Sequence, residues 1–179
     1  MAEGNRLTAE RLRELMHYEP TTGVFRWRVQ GGRGISRHRP GTVAGCTDRT
    51  SGYRQFLIDR YRYRAHRLAW LYVTGAWPHD QIDHINRDRS DNRFINLREA
   101  TQEQNNWNAG LSIHNTSGFK GVSKDRRSGR WEAHISLGNR KKFLGYFDRP
   151  EHAANAHRAT AIRYRGVFAR ADDTYAEHI

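Results

Sequence analysis

Apolar positions Leu7, Leu12, Leu15 and Met16 recur at helical spacing and predict a short helix over Thr8 to His17, capped by Thr8, with Arg11 and Glu14 facing water. Pro20 and Gly23 turn the chain, and Gly23 to Arg28 alternates apolar and basic residues as a one-sided strand does. Gln30 to Pro40 has no period and reads as a basic loop able to fold onto a phosphate backbone. Two further strands are expected over Tyr53 to Asp59 and Tyr61 to Ala65, then a buried helix from His66 to Val73 stopped by Gly75 and Pro78. Ile82 and Ile85 predict a strand around Asp83-His84, Phe94 to Arg98 its return, and Thr101 to Asn108 a helix. Beyond a linker, Phe119 to Ser123, Arg130 to Leu137 and Lys141 to Phe147 predict three antiparallel strands with turns at Ser128-Gly129 and Gly138-Asn139. In the middle strand Trp131, Ala133, Ile135 and Leu137 point one way, and Arg130, Glu132, His134 and Ser136 the other. Pro150 and Glu151 open a helix reaching Arg165, whose small residues Ala153, Ala154, Ala156, Ala159 and Ala161 let it lie on the apolar sheet face.

The expected fold is therefore α+β over 179 residues. Residues 1–110 form a first domain, 111–117 a linker, 118–171 a sheet packed on one helix and 172–179 a tail.

Charge changes the picture. Lys and Arg total 31 against 19 Asp and Glu, a net of +12, and the charge is interleaved with Trp, Tyr and Phe. That pattern calls for a polyanion, of which nucleic acid is the usual one. Between Thr116 and Arg170 there are 13 Lys or Arg and 4 Asp or Glu, so most of the excess sits in the C-terminal part. Cys46 is the single cysteine, expected buried or half-buried; it excludes an internal disulfide and a Cys-based structural zinc site. No long apolar run or signal-peptide core is present, so no membrane role and a reducing cytoplasm are expected.

The densest chemistry lies in Asp83 to Leu97. Asp83 and His84 are adjacent, Asn96 follows His84 by twelve residues, and Asn105 follows Asp83 by twenty-two. A carboxylate and an amide oxygen suit one hard divalent cation, Mg²⁺ or Mn²⁺. An imidazole titrating near neutrality suits a general base, and Asn96 could orient the ring or bond a nearby carbonyl. A turn rich in Asx caps is the plain alternative for the same residues. His66, at a helix start, reads as a satisfied structural histidine, with a catalytic role as the alternative.

Tyr63 to Trp70, Ile82 to Asn86 and Asp91 to Arg98 resemble the HNH endonucleases of bacteriophages, relatives of the free-standing homing endonucleases. The resemblance spans Leu7 to Asn108 and implies a ββα-metal core over about 80–108. It makes Asp83 and Asn105 metal ligands, His84 the general base and Asn96 the brace, with catalysis assigned to His84 and Asn96. The last H of the motif is Asn105 here, a replacement shared by some phage nickases. Gly118 to Val122, Gly129 to Ile135, Phe143 to Phe147 and Glu151 to Ala154 resemble the ethylene-response-factor (APETALA-type) DNA-binding domain. That resemblance puts Lys120, Ser123, Asp125, His134, Ser136, Lys141 and Phe143 on the DNA face, with Ser123, Asp125 and Ser136 departing from the plant pattern. Double-stranded DNA is the partner that these two family resemblances imply. Composition adds Lys124, Arg126, Arg127, Arg130, Arg140 and Lys142 as phosphate contacts. The expectation is a phage-encoded, metal-dependent DNA endonuclease, nicking or cutting both strands as monomer or homodimer; a catalytically inactive DNA-binding regulator is the alternative.

Overall fold

A computed structural model describes residues 7–31, 38–138 and 140–169. The fold is α+β, and its contacts divide the chain into two units that part between Thr101 and Gln102, ahead of the expected boundary at residue 110. Each unit has its own core.

In the first unit, Thr8 Oγ1 accepts from Arg11 N at 3.2 Å and caps α1 (Ala9–Leu15). The helix ends earlier than expected. Met16 and His17 belong to β1 (Met16–Glu19), where burial alternates with period two and pairing with β2 (Val24–Trp27) overrides helical spacing. β3 (Cys46–Thr47), β4 (Arg54–Ile58) and β5 (Tyr61–Arg64) form an antiparallel sheet in chain order. Asp59 and Arg60, both at positive φ, make its tight turn. Cys46 is exposed, contrary to expectation, because it sits on a two-residue edge strand. α2 (Ala65–Thr74) buries Leu68, Ala69 and Leu71 and stops at Gly75 in the left-handed conformation. Arg13 donates from Nη2 to Tyr72 O at 2.6 Å, tying α1 to the end of α2.

The core is aromatic at its centre. Tyr18, Phe25 and Phe56 are each no more than 2% exposed and pack in series, the first pair tilted and the second edge to face, with centroids 4.5 Å and 5.1 Å apart. Burying each ring contributes about 2 kcal/mol. β6 (Gln81–His84) and β7 (Leu97–Ala100) form a separate hairpin pairing Asp83 with Arg98. The loop between them is clamped from beneath: Tyr18 donates its hydroxyl to Asn92 O at 2.7 Å, and Phe94 N donates to Pro20 O at 3.0 Å. Trp70 of α2 packs on Phe94 at 5.5 Å.

In the second unit, α3 (Gln102–Asn108) carries Asn105 and is tied to the later part of the unit by two bonds from Lys120 Nζ, to Trp107 O at 2.6 Å and Ala109 O at 2.7 Å. Arg165 lies over the Trp107 ring at 5.1 Å. β8 (Val122–Lys124), β9 (Trp131–Leu137) and β10 (Arg140–Phe147) make an antiparallel sheet with β9 central. α4 (Pro150–Arg165) covers the face bearing Val122, Ala133 and Ile135. Ala153 and Ala161 are buried, but Ala159 is exposed; the buried stripe is completed by His157 and Arg165 instead. The expected basic loop falls largely on residues 32–37, and Asn139 and the tail 172–179 also lie outside the described residues.

Gly23, in the β1–β2 turn, has φ +72°, and a Cβ there would stand 2.5 Å from Arg93 N and Asn92 C. Backbone atoms cannot move aside cheaply, and φ in this region strains any L side chain. Gly23→Ala should therefore cost about 2 kcal/mol in urea unfolding, and it should loosen the loop after His84, seen as faster amide exchange there.

Candidate active site

Asp83 and His84 end β6, and both are 4% exposed. An acid buried on a hairpin needs a countercharge, and strand register supplies it. Arg98, the cross-strand partner, donates from Nε at 2.9 Å and Nη2 at 2.8 Å to Asp83 Oδ2.

The His84 imidazole lies in a ring cluster. His66 approaches it edge-on at 5.0 Å and 82°, while Tyr53 lies 5.9 Å from His84 and 4.9 Å from His66. Burial holds the His84 pKa below the ordinary imidazole value, opposed by the Asn92 amide and the carboxylates of Asp83, Asp88 and Asp91. His66 is pushed further, down to about 2, by burial first and then by His84, Arg64 and Arg67. Among the described residues its Nδ1 is buried without a hydrogen-bond partner, contrary to the satisfied structural histidine expected at this position.

Asn96 is 6% exposed, and its amide bonds run to the motif loop rather than the imidazole. Its Oδ1 accepts from Asn86 N at 3.0 Å, and its Nδ2 donates to Asn86 Oδ1 and Asp91 O, both at 2.9 Å. Asp91 closes the ring by accepting from Asn86 Nδ2 at 2.7 Å and from Arg93. The loop after the histidine is thus a folded unit, and Asn92, 2% exposed, is the amide that acts on His84. Asn92, His66, Tyr53 and Arg98 have no site role in the sequence reading. Arg98 is legible as the facing residue of a hairpin; the other three converge only through tertiary packing.

A divalent cation places its own demands on the donor set. Among the described residues no group of three or more His, Cys, Asp and Glu is gathered for a metal. Asp83 is one hard carboxylate in a site without thiolates, which fits Mg²⁺ or Mn²⁺, ions that keep several waters and need few protein ligands. Asn105 is half-buried on α3, in the second unit.

On the second unit's sheet, His134, Ser136, Lys141 and Phe143 lie on the face away from α4, with His134 opposite Phe143 and Ser136 opposite Lys141. Phe143 and Tyr146 are exposed and meet edge to face, with ring centroids 5.0 Å apart. Glu132, unassigned from sequence, lies among them, accepting from Ser123 at 2.9 Å and paired with His134 at 3.1 Å. The other candidates are distributed differently. Lys120 caps carbonyls at the end of α3, Lys142 reaches Tyr164 Oη at 3.5 Å, and Lys124 lies over Trp131 at 5.6 Å. Arg130 pairs with Asp148, Arg126 and Arg127 flank the exposed β8–β9 turn, and Arg140 is exposed at the start of β10. No helix among the described residues is long and apolar enough to cross a membrane.

The HNH endonuclease family profile matches residues 63–107, enclosing α2, the β6–β7 hairpin and α3. Protein 3.8 of Escherichia phage T7 is 31% identical over 108 residues, covering 60% of this chain and 88% of that protein. The chain belongs to the family of that phage protein. The AP2-like ethylene-responsive transcription factor CRL5 of Oryza sativa subsp. japonica is 26% identical over 170 residues, 85% of this chain and 26% of that protein. APETALA2-like protein 2 of Oryza sativa subsp. indica is 43% identical over 52 residues, 29% of this chain and 12% of that protein. The chain thus spans about a quarter of the length of the first of these plant relatives and less of the other. The HNH match falls on the segment that carries Asp83 and His84.

Two outcomes are expected from the geometry. Arg98→Ala leaves a buried carboxylate without its guanidinium and should cost about 2–3 kcal/mol in chemical denaturation, a figure reduced because the arginine side chain is 17% exposed. The second concerns pH. His66 binds a proton at about 6.5 when unfolded and only at about 2 when folded. Its contribution is therefore complete above pH 6.5 and declines as pH falls below that value, by up to about 1.4 kcal/mol per pH unit. His66→Phe should flatten the stability profile between pH 6 and 4, measured as the pH dependence of the urea midpoint.

Proposed function

We propose that this protein is a phage-encoded, metal-dependent DNA endonuclease of the homing type that hydrolyses phosphodiester bonds in the cytoplasm of the host cell. The observation that carries the reading is the buried Asp83-His84 pair on the β6–β7 hairpin, inside the segment matched by the HNH profile. His84 is kept neutral by its burial, the state a base needs in order to take a proton from water at neutral pH. Tyr53 lies beside its ring at 5.9 Å, and Asn96 keeps the following loop in shape through Asn86 and Asp91. Asp83, fixed by Arg98, is the ligand offered by this unit, and the HNH resemblance assigns the amide ligand to Asn105. A divalent ion held by Asp83 would neutralise the developing charge on the phosphate oxygens and the leaving oxygen.

The second unit acts as the addressing module. Lys141, Phe143, His134 and Ser136 on its open face meet DNA directly, and Arg126, Arg127, Arg130 and Arg140 add sequence-independent phosphate contacts. One base per chain suits the nicking of one strand at a time, with a double-strand cut requiring two copies.

Supercoiled plasmid incubated with the purified full chain and Mg²⁺ or Mn²⁺ should be converted to the nicked form before any linear form appears. His84→Ala should lower that rate at least 100-fold while leaving DNA affinity within about twofold. Undiminished cutting by this variant would reassign the base.

A further inference from the structure

Two arginines converge on one ring beside His84. The guanidinium carbon of Arg64 lies 4.7 Å from the Tyr53 centroid and that of Arg89 lies 4.8 Å from it. The same ring is 5.9 Å from the imidazole of His84. Both arginines are exposed, and neither has a carboxylate partner among the described residues. Two like charges gathered on one ring repel each other, so the arrangement lacks an anion.

Their local positions sharpen the point. Arg64 occupies the N-cap of α2, where its side chain makes no capping bond and no acid stands in the first turn. A cation is disfavoured at that positive helix end, which attracts anions instead. Arg89 comes from the loop following His84 and is anchored by Nη1 to Ser51 O at 2.8 Å. Stacking on Tyr53 holds each guanidinium in place while its remaining N–H groups stay open to solvent. The planar fork of arginine matches two phosphate oxygens at once.

We propose that Arg64 and Arg89, splinted by Tyr53, form a phosphate clamp that holds a DNA backbone phosphate next to His84. The clamp rests on the reading of His84 as the base of a nuclease. It adds a substrate-binding element contributed by the β4–β5 sheet, the start of α2 and the motif loop. The bound group is a phosphodiester of duplex DNA, positioned so that the neighbouring imidazole faces the water in line with it.

The test separates binding from cutting. In metal-free buffer, the salt dependence of affinity for non-specific duplex DNA should lose about one unit of log–log slope for Arg64→Gln and for Arg89→Gln. With Mg²⁺ or Mn²⁺ at saturating protein, each variant should nick plasmid on the order of tenfold more slowly. Tyr53→Leu should lower the rate in the same direction through loss of the splint. Arg89→Lys keeps the charge without the fork, and should restore the slope while the rate stays low. An unchanged slope and rate in the Arg64→Gln, Arg89→Gln double variant would overturn the clamp. So would full recovery of rate by Arg89→Lys, which would reduce the pair to general surface charge. If His84→Ala instead cuts normally, the assignment of the base fails, whereas the slope measurement still reports on the clamp.

Discussion

The register of one short hairpin sets most of what this protein can do. Pairing Asp83 with Arg98 across β6 and β7 places a guanidinium against a carboxylate that would otherwise be buried alone. A slip by one residue would turn Asp83 and His84 to opposite faces and separate the acid from its partner. The hairpin is only four residues per strand, too short to hold that register unaided. Its neighbours supply the constraint. Tyr18 and the Pro20–Gly23 turn grip the connecting loop from below, and Trp70 of α2 packs on Phe94 from the side.

The loop itself is a polar structure held from within. Asn86, Asp91, Arg93 and Asn96 satisfy one another, so a stretch with the composition of a flexible turn is fixed in place. The Asx-rich turn is present, and it does not compete with the proposed role of His84: the Asx bonds build the frame in which His84 stands. Rigidity near a base matters because a ring free to rotate loses alignment with its water.

Electrostatics divide the first unit into two zones. Around His84 and His66 burial keeps both rings neutral, whereas just outside, on Tyr53, uncompensated arginines gather. A neutral base beside a cationic rim is a sensible arrangement for a polyanionic substrate, since the rim draws phosphate in without protonating or repelling the base. The second unit has a different arrangement, with exposed Phe143 and Tyr146 and the carboxylate of Glu132 on the face that also bears His134 and Lys141. Apolar rings and a carboxylate can read base edges, which arginines bound to phosphate cannot.

Much of this was legible in residues alone. Period-two alternation from Trp131 to Leu137 set the sheet faces, helical spacing and Gly75 bounded α2, and adjacency of Asp83 and His84 marked the site, because such signals depend on neighbours in the chain. Local spacing failed at Met16 and His17, where pairing with Trp27 and Arg26 drew a predicted helix end into a strand. It could not show that Cys46 lies on an exposed edge, or that Asn96 bonds Asn86 rather than the imidazole. Nor could it bring Tyr53, Arg64, His66 and Arg89 around His84, since these arrive from three separate segments. What the chain determined by itself was therefore the set of candidate groups and the elements that carry them. Only tertiary packing decided which groups meet, how dry they are and which charges go unpaired, because contact between distant residues depends on burial of the whole core and not on any local pattern.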